Sequence, residues 1–121
     1  MAKIFLDTNI FIDVMEARDS SLVGRFEGTE LFVSTVSIGI WTYVYKLSIP
    51  DAALQEIFTV FNFVGCSSEI AQKSVMGPTP DYEDNVQLHS AVESECELFI
   101  TKDEKLIKMG YFGKVRISDS A

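Results

Sequence analysis

Two rhythms alternate along this chain. A short apolar run, Lys3–Asp7, has the residue types of a buried strand and ends in a carboxylate. Ile10, Phe11, Val14 and Met15 then recur at helical spacing, which predicts a helix from about Asn9 to Ala17. Arg18-Asp19-Ser20 breaks it, and a short helical piece carrying Leu22, Val23 and Phe26 leads to a turn at Gly28-Thr29. Leu31–Ser34 reads as a second strand. The next segment, Ser37–Tyr45, is apolar on nearly every side, which predicts the most buried helix of the fold. After a restart at Ser48-Ile49-Pro50-Asp51, Leu54, Ile57, Phe58 and Phe61 return at helical spacing. Phe61–Gly65 is a third strand, and Ser67 or Ser68 caps a helix reaching about Val75.

Met76-Gly77-Pro78-Thr79-Pro80 is the strongest breaker in the sequence. Beyond it Asp81-Tyr82-Glu83-Asp84 opens a helix carrying Val86, Leu88, Ala91 and Val92. Glu97–Thr101 is a fourth strand, Lys102 begins a short helix to about Met109, and Lys114–Ile117 is a fifth strand. Strands alternating with helices predict an α/β fold. Its form is a three-layer α/β/α sandwich, Rossmann-like, around a mostly parallel sheet of about five strands. Residues 1–121 are expected to form a single domain.

Composition narrows the setting. The net charge of −8 argues against a general polyanion binder. Cys66 and Cys96 are isolated, without metal-ligand spacing, as expected in a reducing compartment. Asp7 and Asp13 interrupt the N-terminal apolar stretch, which therefore lacks the form of a signal peptide. The uncharged stretch between Glu30 and Lys46 is shorter than a membrane span. A cytoplasmic protein with no membrane partner is expected.

Chemistry enters through three acids. Asp7 ends the first strand, Asp103 follows the fourth, and Asp84 lies in the first turn of the helix before the fourth. In a parallel sheet the first two share an edge, and ligands bind at such carboxyl ends. Each acid has a plain alternative: a helix cap for Asp7 and Asp103, a dipole-favoured first-turn acid for Asp84. Three carboxylates in one crevice repel one another unless a divalent cation intervenes, and all-oxygen ligands suit Mg²⁺ or Mn²⁺. Thr8 and Asn9 are polar neighbours of Asp7 able to orient it. The sole histidine, His89, falls mid-helix, where a surface or core role is expected.

The blocks Lys3–Ile12, Ser34–Tyr45, Asp81–Gln87 (DYEDNVQ) and Phe99–Asp103 (FITKD) together resemble the PIN domain, in the VapC-like branch found in bacterial toxin–antitoxin ribonucleases. The resemblance covers nearly the whole chain. It implies an α/β/α sandwich, a Mg²⁺ or Mn²⁺ site and cleavage of single-stranded RNA. Its metal-binding and catalytic acids correspond to Asp7, Asp84 and Asp103, with Asn9 and Thr101 in supporting positions. It also implies an antitoxin partner and a homodimer, for which Phe11–Met15 and Trp41–Tyr45 are the candidate surfaces. One position departs. The family carries a Glu about one turn into the helix after the second strand, where this chain has Ile40. Asp81, Glu83 or Glu104 are candidate substitutes.

The basic residues Lys102, Lys105, Lys108, Lys114 and Arg116 give the segment around Asp103 a charge of +3 within a chain of −8. Lys102, Lys105 and Lys108 are the candidate phosphate contacts. Tyr111 and Phe112 are candidate base-stacking residues, although core packing explains at least one of them. Two other enzyme classes fit less well. A haloacid-dehalogenase-like phosphatase requires an acid where Asn9 stands, and a receiver domain requires an adjacent acidic pair. A catalytically weakened or inactive PIN-like module that binds RNA or a protein is the alternative that Ile40 supports.

Overall fold

A computed structural model describes residues 1–16 and 26–120. The order of elements is β1 (Lys3–Leu6), α1 (Thr8–Met15), β2 (Glu30–Ser34), α2 (Thr35–Val44), α3 (Ala52–Val60), β3 (Asn62–Val64), α4 (Ser68–Ser74), α5 (Tyr82–Glu93), β4 (Leu98–Ile100), α6 (Glu104–Met109), β5 (Tyr111–Phe112) and β6 (Val115–Ser118). The helical piece expected around Leu22 and Val23 lies outside the described residues. Phe26 is described and is buried.

Six strands form one sheet in the order β3-β2-β1-β4-β6-β5. All neighbouring pairs are parallel except β5 with β6. Strand β1 is central, in register with β2 through Phe5↔Phe32 and with β4 through Phe5↔Phe99. Side chains of a strand alternate between faces, and β1 divides the core accordingly. Ile4 and Leu6 join a cluster with Ile10, Phe11, Trp41 and Ile57, under α1 to α3. Phe5 joins Leu88, Phe99 and Leu106 on the other face, under α5 and α6. Phe11 is the hub of the first layer, meeting Trp41, Phe61 and Phe63 edge-on. Phe5 and Phe99 stack at 5.4 Å in the second. The result is the expected three-layer sandwich.

Three details differ from the pattern-based reading. A sixth strand, β5, pairs antiparallel with β6. It has only two residues, too short for any period, and is enclosed by Gly110 and Gly113, whose φ of 75° and 60° supply the turns. Phe61 closes α3 as its C-cap, so β3 begins at Asn62. Helix α2 is not the most buried helix. Only Ser37 and Trp41 in it are buried, and Tyr43 is 84% exposed. Its apolar character reflects an uncovered outer face. The most enclosed helix is α5, which lies against the sheet with Asn85, Val86, Gln87 and Leu88 all buried. Among the described residues no helix is long and apolar enough to cross a membrane.

Candidate functional site

The strand order reverses between β1 and β4: successive strands run outward from β1 to β3, and the chain then returns to the far side of β1. A crevice opens outside the carboxyl ends of strands at such a switch point. Asp7 and Thr101 sit on these ends. The backbone holds them side by side, with Asp7 N–H donating to the Ile100 carbonyl at 3.0 Å and Thr101 N–H donating to that of Ser118 at 3.0 Å.

Asp7 caps α1, accepting from the Thr8 N–H on Oδ1 at 2.7 Å. Its Oδ2 accepts from the Thr101 hydroxyl at 2.6 Å. Thr101 Oγ1 in turn accepts from the Asp103 N–H at 3.0 Å, so one fully buried hydroxyl fixes both acids. Asp103 caps α6 through the Lys105 N–H. Asp84 arrives on α5, whose N-terminus points to the same edge. Asp81 caps that helix and accepts from the Asp84 N–H at 3.0 Å. The Asp84 carboxylate accepts no hydrogen bond among the described residues and is half-buried.

Burial and mutual repulsion both act on the proton affinities. Burial raises the Asp7 carboxyl above the usual range, and Asp103 adds to this, while hydrogen bonds from Thr101, Thr8 and Gln87 oppose it. Burial first, then the charges of Asp81, Asp7, Asp103 and Glu83, push Asp84 up to about 6. The three acids taken from the sequence therefore feel one another across the crevice. Lys105 lines the cleft that Asp81, Asp84 and Asp103 border.

The remaining candidates fall in different places. Thr8 is buried and its hydroxyl shares a 2.7 Å hydrogen bond with that of Ser37, tying α1 to α2. Asn9 is exposed and makes no side-chain hydrogen bond among the described residues. Lys102 reaches Asp13 at 3.1 Å. Lys108 is exposed in the last turn of α6, and Lys114 precedes β6 at the opposite end of the sheet. The basic segment is thus divided, with Lys105 at the acids. Ile40 is half-buried and borders a separate hollow with Val36, Tyr43 and Glu83. Asp81 and Glu83 both act electrostatically on Asp84, whereas Glu104 is exposed on α6. His89 donates to or accepts from nothing catalytic: its Nε2 meets the Gly77 carbonyl at 2.9 Å and its ring stands edge-on to Phe112.

Two residues escaped the sequence reading. Gln87 is buried beside Asp7, its Oε1 accepting from the Thr8 N–H at 2.9 Å. Asn85 is buried and clamps the loop before α5. Its Oδ1 accepts from the Thr79 N–H and hydroxyl, and its Nδ2 donates to the carbonyls of Ser74 and Thr79. The available signal was a pair of amides inside a helix that otherwise supplies core residues, since a buried amide needs several partners.

The oxygen donors suit a hard divalent cation. Among the described residues no three acidic, histidine or cysteine side chains stand close enough together to enclose a metal. Mg²⁺ is commonly held by one or two carboxylates with waters completing its shell. Asp84, half-open and without a hydrogen-bond donor, together with Asp7 or Asp103, fits that kind of site.

Neither a protein-family model nor a curated protein matches the chain in sequence. Solved structures do match in three dimensions. VapBC2 from Rickettsia felis, bound to a DNA fragment from its promoter, superposes with a TM-score of 0.70 at 13% identity, over 96% of this chain and 97% of that one. The fold is PIN-like. DNA-bound VapBC from Salmonella typhimurium superposes with a TM-score of 0.63 at 17% identity, over 98% of both chains. At such identities the likeness establishes the PIN-like fold alone, and the chemistry rests on this chain's own residues.

Proposed function

We propose that this protein is a Mg²⁺- or Mn²⁺-dependent endonuclease that hydrolyses single-stranded RNA, the toxin of a cytoplasmic toxin–antitoxin pair. The observation that carries the reading is that Asp7, Asp84 and Asp103, from three separate elements, border one crevice at the switch point of the sheet and act on one another through their charges. Two of them hold protons more tightly than ordinary aspartates, for which burial and uncompensated negative charge are the causes. Likeness to VapBC structures supports an antitoxin as protein partner, and a homodimer is part of the same proposal.

A bound cation would supply Lewis acidity and a water of lowered pKa, with Asp84 and either Asp7 or Asp103 as its direct holders and the third acid adding negative charge nearby. The chain's own contribution is positional. Thr101 keeps Asp7 and Asp103 at fixed separation, and Thr8 and Gln87 hold Asp7 in one orientation. Lys105 offers a cation to the phosphate at the rim of the cleft.

The test is cleavage of a mixed-sequence single-stranded RNA in Mn²⁺, Mg²⁺ or EDTA, beside Asp84→Asn. Cutting that needs metal and vanishes in the variant supports the reading. Absence of cutting under every metal, from a folded sample, refutes it. A second reading, a PIN-like module that binds RNA or a protein without cutting, is favoured by the apolar Ile40 and by the lack of a three-acid group among the described residues. Calorimetric titration with Mn²⁺ separates the two, because the module requires no binding that Asp7→Asn abolishes.

A further inference from the structure

The cleft of about 520 Å³ that begins at Asp84 and Asp103 does not end there. It continues away from the carboxylates between the loop before α5 and the inner face of α6. That extension is mostly apolar, with Pro78, Thr79 and Pro80 of the loop on one side and Leu106 and Met109 of α6 on the other. Both walls are stiff. The loop is pinned by the four hydrogen bonds of Asn85, and Leu106 is anchored in the core beneath α6. Lys105 stands on the rim between the apolar end and the acids.

We infer that this extension is a base-binding subsite: it takes one unpaired nucleobase of the strand whose phosphate lies at the acids. The inference rests on the nuclease reading of the site and adds to it what the strand must present. Charge is arranged for such an occupant: Lys105 offers a cation to the phosphate, and the charged residues of the cleft, Asp81, Asp84, Asp103 and Lys105, adjoin the acids, leaving Pro78, Pro80, Leu106 and Met109 for the base. A ligand-sized cleft with charged groups at one end and Pro78, Pro80, Leu106 and Met109 at the other has the form of a site for a group that is charged at one end and flat and mostly apolar at the other. A base reaches the pocket only when unstacked and unpaired, so the subsite selects single strands over duplex without sequence readout. With no aromatic side chain in the walls, the base is held by apolar contact, and hydrogen-bond discrimination among the four bases is weak.

The experiment uses a short fluorescent single-stranded RNA, the same RNA in duplex, and a set of single strands each with one abasic position. Affinity is read by anisotropy in EDTA, and KM and kcat in Mn²⁺ wherever cutting occurs. One abasic position beside the scissile or central phosphate is expected to weaken binding about fivefold to tenfold, the scale of removing about 50 Å² of apolar surface from water. Pro80→Glu, on an exposed loop residue that leaves the core intact, should weaken the intact strand similarly and remove the abasic penalty, the loss falling on KM. Lys105→Glu should weaken all strands alike. Binding that shows this pattern without any cutting upholds the subsite and refutes the nuclease. Cutting with no abasic penalty and no effect of Pro80→Glu refutes the subsite and leaves the nuclease standing. Equal affinity for duplex and single strand also overturns it, as does Pro80→Glu that spares RNA but abolishes binding of a protein partner.

Discussion

Asp84→Asn should make the protein more stable, and only at neutral pH. The carboxyl is lifted from the ordinary aspartate value to about 6. A displacement of about two pH units corresponds to about 3 kcal/mol of unfavourable interaction borne by the ionised form. Asp84 is half-open to solvent, so screening reduces this to about 1–2 kcal/mol. Asparagine forfeits the favourable placement of an acid in the first turn of α5, about 0.5 kcal/mol. A net gain of about 1 kcal/mol remains. The sign follows from proton binding. The folded state holds this proton more tightly than the unfolded state does. The wild-type protein therefore keeps its full stability below about pH 4 and loses this increment as pH rises through about 6. The variant does not titrate, so its advantage is absent near pH 4 and complete above about pH 7. Urea denaturation across that range measures it, at matched ionic strength and in EDTA. An equal or lower stability of the variant at neutral pH, or an advantage that persists unchanged at pH 4, refutes the electrostatic account of the crevice. If Mg²⁺ binds at the acids, it should raise the wild-type midpoint and leave the variant's nearly unmoved.

Other perturbations test the supports. Thr101→Val leaves the Asp103 N–H and Asp7 Oδ2 without their shared partner and should cost about 1–3 kcal/mol by urea denaturation. It should also raise the Asp7 carboxyl further, read by carbon-13 NMR titration, because a hydrogen bond that lowers it is lost. Asn85→Ala breaks four hydrogen bonds of the loop clamp; a loss of about 3 kcal/mol and faster hydrogen exchange at the Thr79 amide are expected. Burial pushes the Cys96 thiol up to about 12, so mass spectrometry after iodoacetamide near pH 8 should find Cys66 alkylated and Cys96 intact until denaturant is added.

The parts legible in the sequence are those that a local pattern encodes. Asp7 and Asp103 stood out because each follows an apolar strand, and the parallel register of β1 with β4 places both at one edge. That Asp84 joins them depends on the direction of α5, which no spacing within Asp81–Gln87 states. The misreading of α2 has a physical cause: Tyr43, Val44 and Ile40 look like core by composition, and whether a face is covered depends on what packs against it. Asn85 and Gln87 were missed for the converse reason. They are polar by type and buried by position, and their value lies in partners from a distant loop and from α1. The subdivision of the basic segment was equally invisible, since Lys102 and Lys114 lie close to Asp103 in sequence, yet one is engaged by Asp13 and the other stands at the opposite end of the sheet.

The contact between Thr101 and Asp7 spans 94 residues of chain. During synthesis Asp7 leaves the ribosome 94 residues ahead of its partner and waits for it. Thr101 gains its own backbone acceptor only when Ser118, on the last strand, has followed. A nascent chain therefore carries an isolated carboxylate on an unfinished sheet while those 94 residues are made. If the crevice is a nuclease, it is incomplete until β6 has been made and paired, and no shorter nascent piece carries its full activity.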